Sequence, residues 1–491
     1  MASDSLYPEP PPALAKPRLK YAPAYLGPGV ILASVTIGSG ELVWASRSGA
    51  IFGYDMLWCF LYAGVFKAIQ VYAAARHITL TGEHPMVGWG IGFSLLIAVP
   101  AVALMPIAFS AIPEILGGFV HRLVEKSLVE GALEGDNVAV WHYREFWINV
   151  WSSVVLCVCL ALALGSSYML LERASTVVLG LLVLCVVISV VVFGPNVFEM
   201  LSGLFVPREP GYPDWVPKEY PKFRDRSPWL EVSIYLTAVG GGAYDYIGYV
   251  GMLREKKWGL AGRRVATREE LEAAVSGESA NAAATILRAK QWTRGPLFDT
   301  SLSFFFVILV TLLFAILGTL VLHDAQQIPA NDDFLNKQES FLTKLHPELS
   351  WLYRTGVFLA FIGTLYGAFE IYRHTFVESA AAIVPKWATA ARTPYLRAGV
   401  VIYCFLGGMT LIWLPESLAG TIVKRMTLGS IVSGAAACGL WCFAMLRVDY
   451  TRLPAALRMS PLLRTLTLIA GIVMTLLGVQ TIIVYVKEIT A

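Results

Sequence analysis

Two carboxylates, Glu41 and Asp245, sit inside apolar runs of membrane length, each shortly after glycines that break the helix-forming pattern. The first run reads Gly27-Pro28-Gly29-Val30-Ile31-Leu32-Ala33-Ser34-Val35-Thr36-Ile37-Gly38-Ser39-Gly40-Glu41, and the second Leu236-Thr237-Ala238-Val239-Gly240-Gly241-Gly242-Ala243-Tyr244-Asp245-Tyr246. An ionisable group at that depth is costly and marks a functional position by default. Glycines let the backbone unwind, and unwound backbone at membrane depth is tolerated only where it lines a cavity. Glycine-interrupted apolar segments at matching places in two halves point to the substrate site of a secondary transporter. Two acids facing one point would chelate a cation, with Gly38, Ser39, Gly241, Gly242 and Tyr244 at the same breaks. Exposed N–H groups opposite a single acid would hold a zwitterion instead, and both arrangements are open.

The other polar residues inside the spans each have two readings. Glu41 is a ligand or the partner of a buried base, Lys67 or Arg47. Lys67 either snorkels or neutralises an acid beside the pathway. Glu370, Arg373 and His374 lie within one turn and form either a proton relay, histidine being the group that titrates near neutrality, or an internally paired network. Ser39 and Thr36 supply oxygens or bond their own backbone; Tyr244 and Tyr246 line the site or pack. His77 and His84 are assigned to a polar loop.

These residues need a membrane scaffold, and the composition supplies one. The 491 residues are 56% hydrophobic and only 15% charged, with a mean hydropathy of +0.61; soluble domains carry nearer a quarter charged residues. A net charge of +3 gives no argument for nucleic acid. The seven cysteines all lie in apolar segments as packing residues, without metal or redox spacing. Apolar spans fall at 24–48, 54–76, 91–120, 146–166, 170–195, 229–253, 298–322, 351–380, 395–415, 426–447 and 463–486, predicting eleven transmembrane helices, helix 1 to helix 11. The excess of Lys and Arg in the 254–296 and 384–397 loops places the N-terminus inside and the C-terminus outside. Residues 1–23, Pro-rich and without an apolar leader, are expected to be a cytosolic tail. Thr267-Arg268-Glu269-Glu270 reads as a capping-box helix start in a loop whose charges form a solvated face over anionic lipid. Helices 1–5 (24–196) and 6–10 (229–447) then form a 5+5 inverted repeat with helices 1 and 6 broken. The extracellular loop 197–228 separates them, and 448–491 carries an accessory helix 11.

The chain also resembles the Nramp family of divalent-metal transporters. The resemblance rests on Leu26-Gly27-Pro28-Gly29, GSGE at 38–41, Ser48-Gly49-Ala50-Ile51-Phe52-Gly53-Tyr54 with Leu57-Trp58, Ala75-Arg76-His77-Ile78-Thr79-Leu80-Thr81-Gly82, and Gly203-Leu204-Phe205-Val206-Pro207. It implies the LeuT-type fold. It also implies altered ligands, because the family's DPGN falls on Gly38-Ser39-Gly40-Glu41, which puts Gly38 at the metal-binding Asp and Glu41 at the Asn. The family's Met-Pro-His falls on Tyr244-Asp245-Tyr246, or one residue displaced. The thioether is gone in either register. A site of carboxylates, hydroxyls and carbonyls is hard and suits Mg²⁺, Ca²⁺ or Mn²⁺ over softer metals.

The expected function is secondary-active transport of a divalent cation by alternating access in the plasma (cell inner) membrane. The cation is substrate, no cofactor is implied, proton coupling is a candidate feature, and lipid is the only macromolecular environment expected, with no obligate protein partner. The alternative is a carrier of an amino acid or other small zwitterion, since Ile37-Gly38-Ser39-Gly40 also resembles the helix 1 break of amino-acid and polyamine carriers. No HExxH, GxSxG or P-loop stands in the chain, so an enzyme is not expected.

Overall fold

Backbone groups in lipid must be satisfied within the chain, which for long apolar runs means helices; among the described residues every regular element is helical. The computed structural model describes residues 5–15, 25, 27–128, 138–164, 168–276, 281–329 and 334–490, leaving out the side chains of 36, 37, 39, 41, 125–128, 138–142, 168–179 and 489. Helix 1 comprises α1 (Gly29–Thr36), a π-helical stretch Ile37–Ala45, and α2 (Ser46–Phe52). Helices 2–5 are α3 (Leu57–Thr81), α4 (Ile91–Leu128), α5 (Val138–Leu164) and α6 (Tyr168–Phe193). Helix 6 is α7 (Pro228–Ala238) followed by α8 (Ala243–Lys256). Helices 7–9 are α9 (Arg294–Leu317), α10 (Ser350–Ile383) and α11 (Thr393–Trp413). Helix 10 is α12 (Ile422–Ser433) with α13 (Ala435–Arg452), and helix 11 is α14 (Pro461–Thr490).

Among the described residues eight helices are long and apolar enough to cross a membrane, which makes this an integral membrane protein. The three other expected spans are the interrupted 29–52 and 228–256, and α6, whose described apolar part is Gly180–Phe193.

Three expectations need correction. The glycines of helix 1 predict unwinding near Gly38–Gly40, yet the segment stays wound, as a π-helix. The cause is local: Gly38 N–H donates to Thr364 Oγ1 at 3.1 Å, and the same hydroxyl donates to Ser34 O at 3.0 Å. Ser34 is the residue whose carbonyl an α-turn would pair with Gly38, so a hydroxyl from α10 stands between the two groups, a recognised cause of helix distortion. Only a residue without Cβ fits, since one on Gly38 would lie 2.1 Å from that oxygen. Helix 10, read as one span, divides at Gly434. Helix 2 runs on to Thr81, so His77 belongs to a helix; it and His84 are buried, not in a polar loop.

Residues 5–15 of the N-terminal segment pack against the bundle. Tyr7 and Leu14 are buried, Tyr7 OH donates to Leu80 O at 2.8 Å, and Trp292 Nε1 donates to Pro8 O at 2.9 Å. Residues 5–15 and the 254–296 segment therefore lie against one another. The capping box is present: Thr267 N–H donates to Glu270 Oε2 at 3.0 Å and Glu270 N–H to Thr267 Oγ1 at 3.2 Å.

Buried polar links join the two halves. Arg47 of α2 makes a bidentate pair with Glu231 of α7 at 2.9 and 2.9 Å, Arg425 of α12 pairs with Glu114 of α4, and Arg76 of α3 pairs with Asp449 of α13 at 3.1 Å. Asp299 of α9, buried, accepts from Gly27 N–H at 2.6 Å, Gly29 N–H at 3.0 Å and Tyr249 OH at 3.0 Å. Those amides are among the orphan donors at the start of helix 1, and a carboxylate there also opposes the positive end of the helix dipole.

Candidate functional site

Helix 6 opens where its glycines stand. α7 ends at Ala238, and Gly240 and Gly241 take φ of 72° and 79°, a left-handed backbone that residues with a Cβ rarely adopt. We expect Gly241→Ala to lower stability by about 1–3 kcal/mol, read as the unfolding midpoint in detergent. Gly240→Ala should cost more, because its Cβ would lie 2.5 Å from the Phe304 ring.

α8 restarts at Ala243 with Asp245 in its first turn. Gly242 N–H donates to Asp245 Oδ2 at 2.8 Å, so the carboxylate caps the new helix while it lines a cavity of about 130 Å³. Gly40 of the π stretch shares this cavity, and a Cβ there would meet Ala238 O at 2.7 Å. The π stretch of helix 1 and the break of helix 6 thus touch at the site. Its wall combines apolar side chains (Val35, Trp44, Leu104, Ile112, Met426) with Thr237, Ser430, Ser433, Tyr372 and Asp245. Tyr244 also lines it, and among the described residues its buried hydroxyl has no hydrogen-bond partner. That leaves one donor and acceptor for whatever enters.

Lys67 of α3, fully buried, reaches the break from the other side. Its Nζ donates to Thr237 O at 3.0 Å, Val239 O at 2.9 Å and Gly241 O at 2.6 Å. Gly241 O also accepts from Tyr246 OH at 3.2 Å. Arg47, the second base considered for Glu41, is committed to Glu231.

The structure brings Gly40, Gly241, Gly242, Tyr244 and Asp245 to one cavity, with Lys67 held at the break, whereas Gly38 packs on Thr364 of α10. Glu41 and Ser39 lie in the π stretch by backbone, and their side chains are outside the described residues. Among the described residues no group of three or more His, Cys, Asp or Glu stands ready to hold a metal ion. The relay candidates separate from Lys67. Arg373 pairs with Glu370 and donates to Ala163 O at 3.0 Å, and His374 Nε2 lies 3.3 Å from Glu255 Oε1. Glu255 is ten residues beyond Asp245, about 15 Å along α8.

Sequence reasoning missed Thr364, Tyr372, Ser430, Ser433 and the bend at Gly434. Gly434 had a usable signal, a glycine between small residues within an apolar run; the others had none. A larger cavity of about 930 Å³ opens beside Arg47, lined by Lys222, Arg226, Lys424 and Lys487 with Asp225 and Glu488. Burial, with Arg47 nearby, holds the Lys222 ammonium below its ordinary pKa.

No family model matches the chain. It is 26% identical over 210 residues to the metal transporter Nramp1 of Oryza sativa subsp. japonica, a match that covers 40% of this chain and only 35% of that protein's length. It is 19% identical over 427 residues to an uncharacterised protein of Pasteurella multocida, covering 84% of this chain and 82% of that one. A crystal structure of the Eremococcus coleocola manganese transporter, in complex with an aromatic bis-isothiourea substituted compound, superposes with a TM-score of 0.59 at 13% identity, covering 100% of this chain and 95% of that one. A point mutant of the same transporter superposes with a TM-score of 0.59 at 13% identity, covering 98% of this chain and 94% of that one. The chain is an all-helical membrane protein of the LeuT-type fold.

Proposed function

We propose that this protein is a secondary-active carrier that works by alternating access around the cavity between the π stretch of helix 1 and the break of helix 6. The observation that carries this reading is the contact of the π-helical stretch of helix 1 with the break of helix 6 beside one half-buried carboxylate, Asp245. Transporter sites are built in this way from half-helix ends at mid-membrane. The cargo of the leading reading is a divalent cation held by Asp245 and Glu41 with hydroxyl and carbonyl oxygens, a hard site. The partial similarity to a plant metal transporter supports it, as does the fold shared with a manganese transporter. The N-terminus and the 254–296 segment would face the cytosol of the plasma membrane, with the C-terminus outside.

A second reading, a zwitterion carrier, draws on a different observation. The walls are largely apolar, a second cavity, beside Arg47, is rich in bases, and Lys67 already holds three carbonyls that a metal would use. Uptake into proteoliposomes against Mg²⁺, Mn²⁺, Cd²⁺ and a panel of neutral amino acids tests the pair. The expected result is saturable Mn²⁺ or Mg²⁺ uptake with little Cd²⁺ competition. Amino-acid uptake without divalent flux would replace the first reading by the second.

Proton coupling through Glu370, Arg373 and His374 is testable in the same vesicles. Glu370 pairs with Arg373, which also reaches Ala163 O of α5, and His374 pairs with Glu255 of α8. This suits a network that ties α10 to its neighbours, so Glu370→Gln should leave the pH profile of uptake unchanged. A displaced profile would assign that carboxylate to a proton path.

A further inference from the structure

The carbonyls at the C-terminal end of a half-helix carry partial negative charge, and in transporters of this architecture such ends coordinate small coupling cations. Here three of them, Thr237 O, Val239 O and Gly241 O, converge on one ammonium at 2.6–3.0 Å, normal distances for N–H···O bonds. The ammonium belongs to Lys67, in the middle of α3 and fully buried. Close packing of α3 on the break brings it there: a Cβ on Gly64, nearly one turn before Lys67, would lie 3.3 Å from Val239 Cγ2 and 2.4 Å from Ile308. A lysine has three N–H donors and no acceptor, which suits a cluster of carbonyls in sign.

We propose that Lys67 is a tethered cation. It fills a monovalent-cation site built from the opened end of α7, so that the broken helix keeps its shape without a free Na⁺ or K⁺. Two features separate this from a packing role. Among the described residues, the hydrogen-bond partners of Lys67 Nζ are carbonyls of the segment with Gly240 and Gly241 at positive φ, where helical pairing is lost. The held backbone also runs into the site: Gly241, whose carbonyl Lys67 holds, and Asp245, which accepts from Gly242 N–H, line the same cavity. Lys67 is therefore a positioning residue: it holds the backbone from which Gly242 and Asp245 are presented.

The test needs no cargo, so it stands apart from the transport reading. Thermal unfolding of the purified full chain in detergent is followed for wild type and Lys67→Ala in NaCl, KCl, choline chloride, propylammonium chloride or 1-propanol. Propylammonium restores approximately the atoms that the truncation removes, and 1-propanol is its neutral counterpart. A ligand that binds only the folded state raises the midpoint with its concentration. The wild-type midpoint should be the same in Na⁺, K⁺ and choline. That of Lys67→Ala should be lower in choline, rise saturably with propylammonium and with Na⁺ or K⁺, and stay low in 1-propanol. A variant that ignores every cation, or a wild type that gains as much as the variant, overturns the proposal. If Lys67→Ala cannot be purified, expression and purification with propylammonium throughout is the second arm. Recovery of folded monomer with the ammonium and not with 1-propanol supports the cage, and failure with both overturns it.

Discussion

Glu231→Gln is expected to lower stability by about 3–5 kcal/mol, the usual consequence of removing one partner from a buried ion pair. Arg47 and Glu231 are 1% and 0% exposed, and the carboxylate also accepts from Tyr235 OH at 3.1 Å. The variant leaves the guanidinium charge in place with Pro329 O as its remaining carbonyl partner and Arg226, 3.4 Å from Glu231, without its counter-ion. The loss follows from stranding a charge, so the paired replacement Arg47→Met with Glu231→Leu should be far milder, since apolar side chains of similar volume often substitute for a buried pair at little cost. Unfolding midpoints of the three proteins in one detergent decide this. A single variant within about 1 kcal/mol of wild type would mean that the pair is hydrated and not a link between α2 and α7.

The second large effect concerns flux. Asp245→Asn should reduce cargo uptake by roughly tenfold or more, the loss of a charge-assisted contact of about 1.5–3 kcal/mol, while changing stability much less. An amide oxygen at position 245 can still accept from Gly242 N–H, so the start of α8 keeps its cap. Asp245→Ala removes cap and charge together, and should lose flux and also about 1 kcal/mol of stability. Initial uptake rates in proteoliposomes, set against unfolding midpoints of the same preparations, separate the two roles. If Asp245→Asn transports normally, the carboxylate is only a cap.

The break in helix 6 was legible because three consecutive glycines exceed anything helix packing requires, and the acid after them singled out Asp245. Helix 1 was only half legible. Gly38 and Gly40 announced a weak point, but whether it unwinds or widens depends on Thr364, 326 residues away, whose hydroxyl enters the helix. Buried ion pairs were hidden for the same reason. Nothing near Arg47 in the chain names Glu231, 184 positions on, and charge counting by loop cannot see pairs within the bundle. Lys67 stood out as anomalous, yet its partners among the described residues are backbone carbonyls, which every residue possesses and no sequence pattern marks. The packing of residues 5–15 was not legible, because prolines and mixed charge do not mark the contacts by which Tyr7 and Leu14 anchor the segment.

The carrier reading meets its most direct test in counterflow. Proteoliposomes loaded with a high concentration of unlabelled Mn²⁺ and placed in trace labelled Mn²⁺ should accumulate label transiently above equilibrium, because one site alternately faces each side and internal cargo speeds its return. The same experiment with a neutral amino acid examines the second reading. Overshoot with either solute, lost in Asp245→Asn, is the predicted result. Uptake that rises linearly with concentration and shows no overshoot for any solute would contradict an alternating-access carrier built on the helix 6 break.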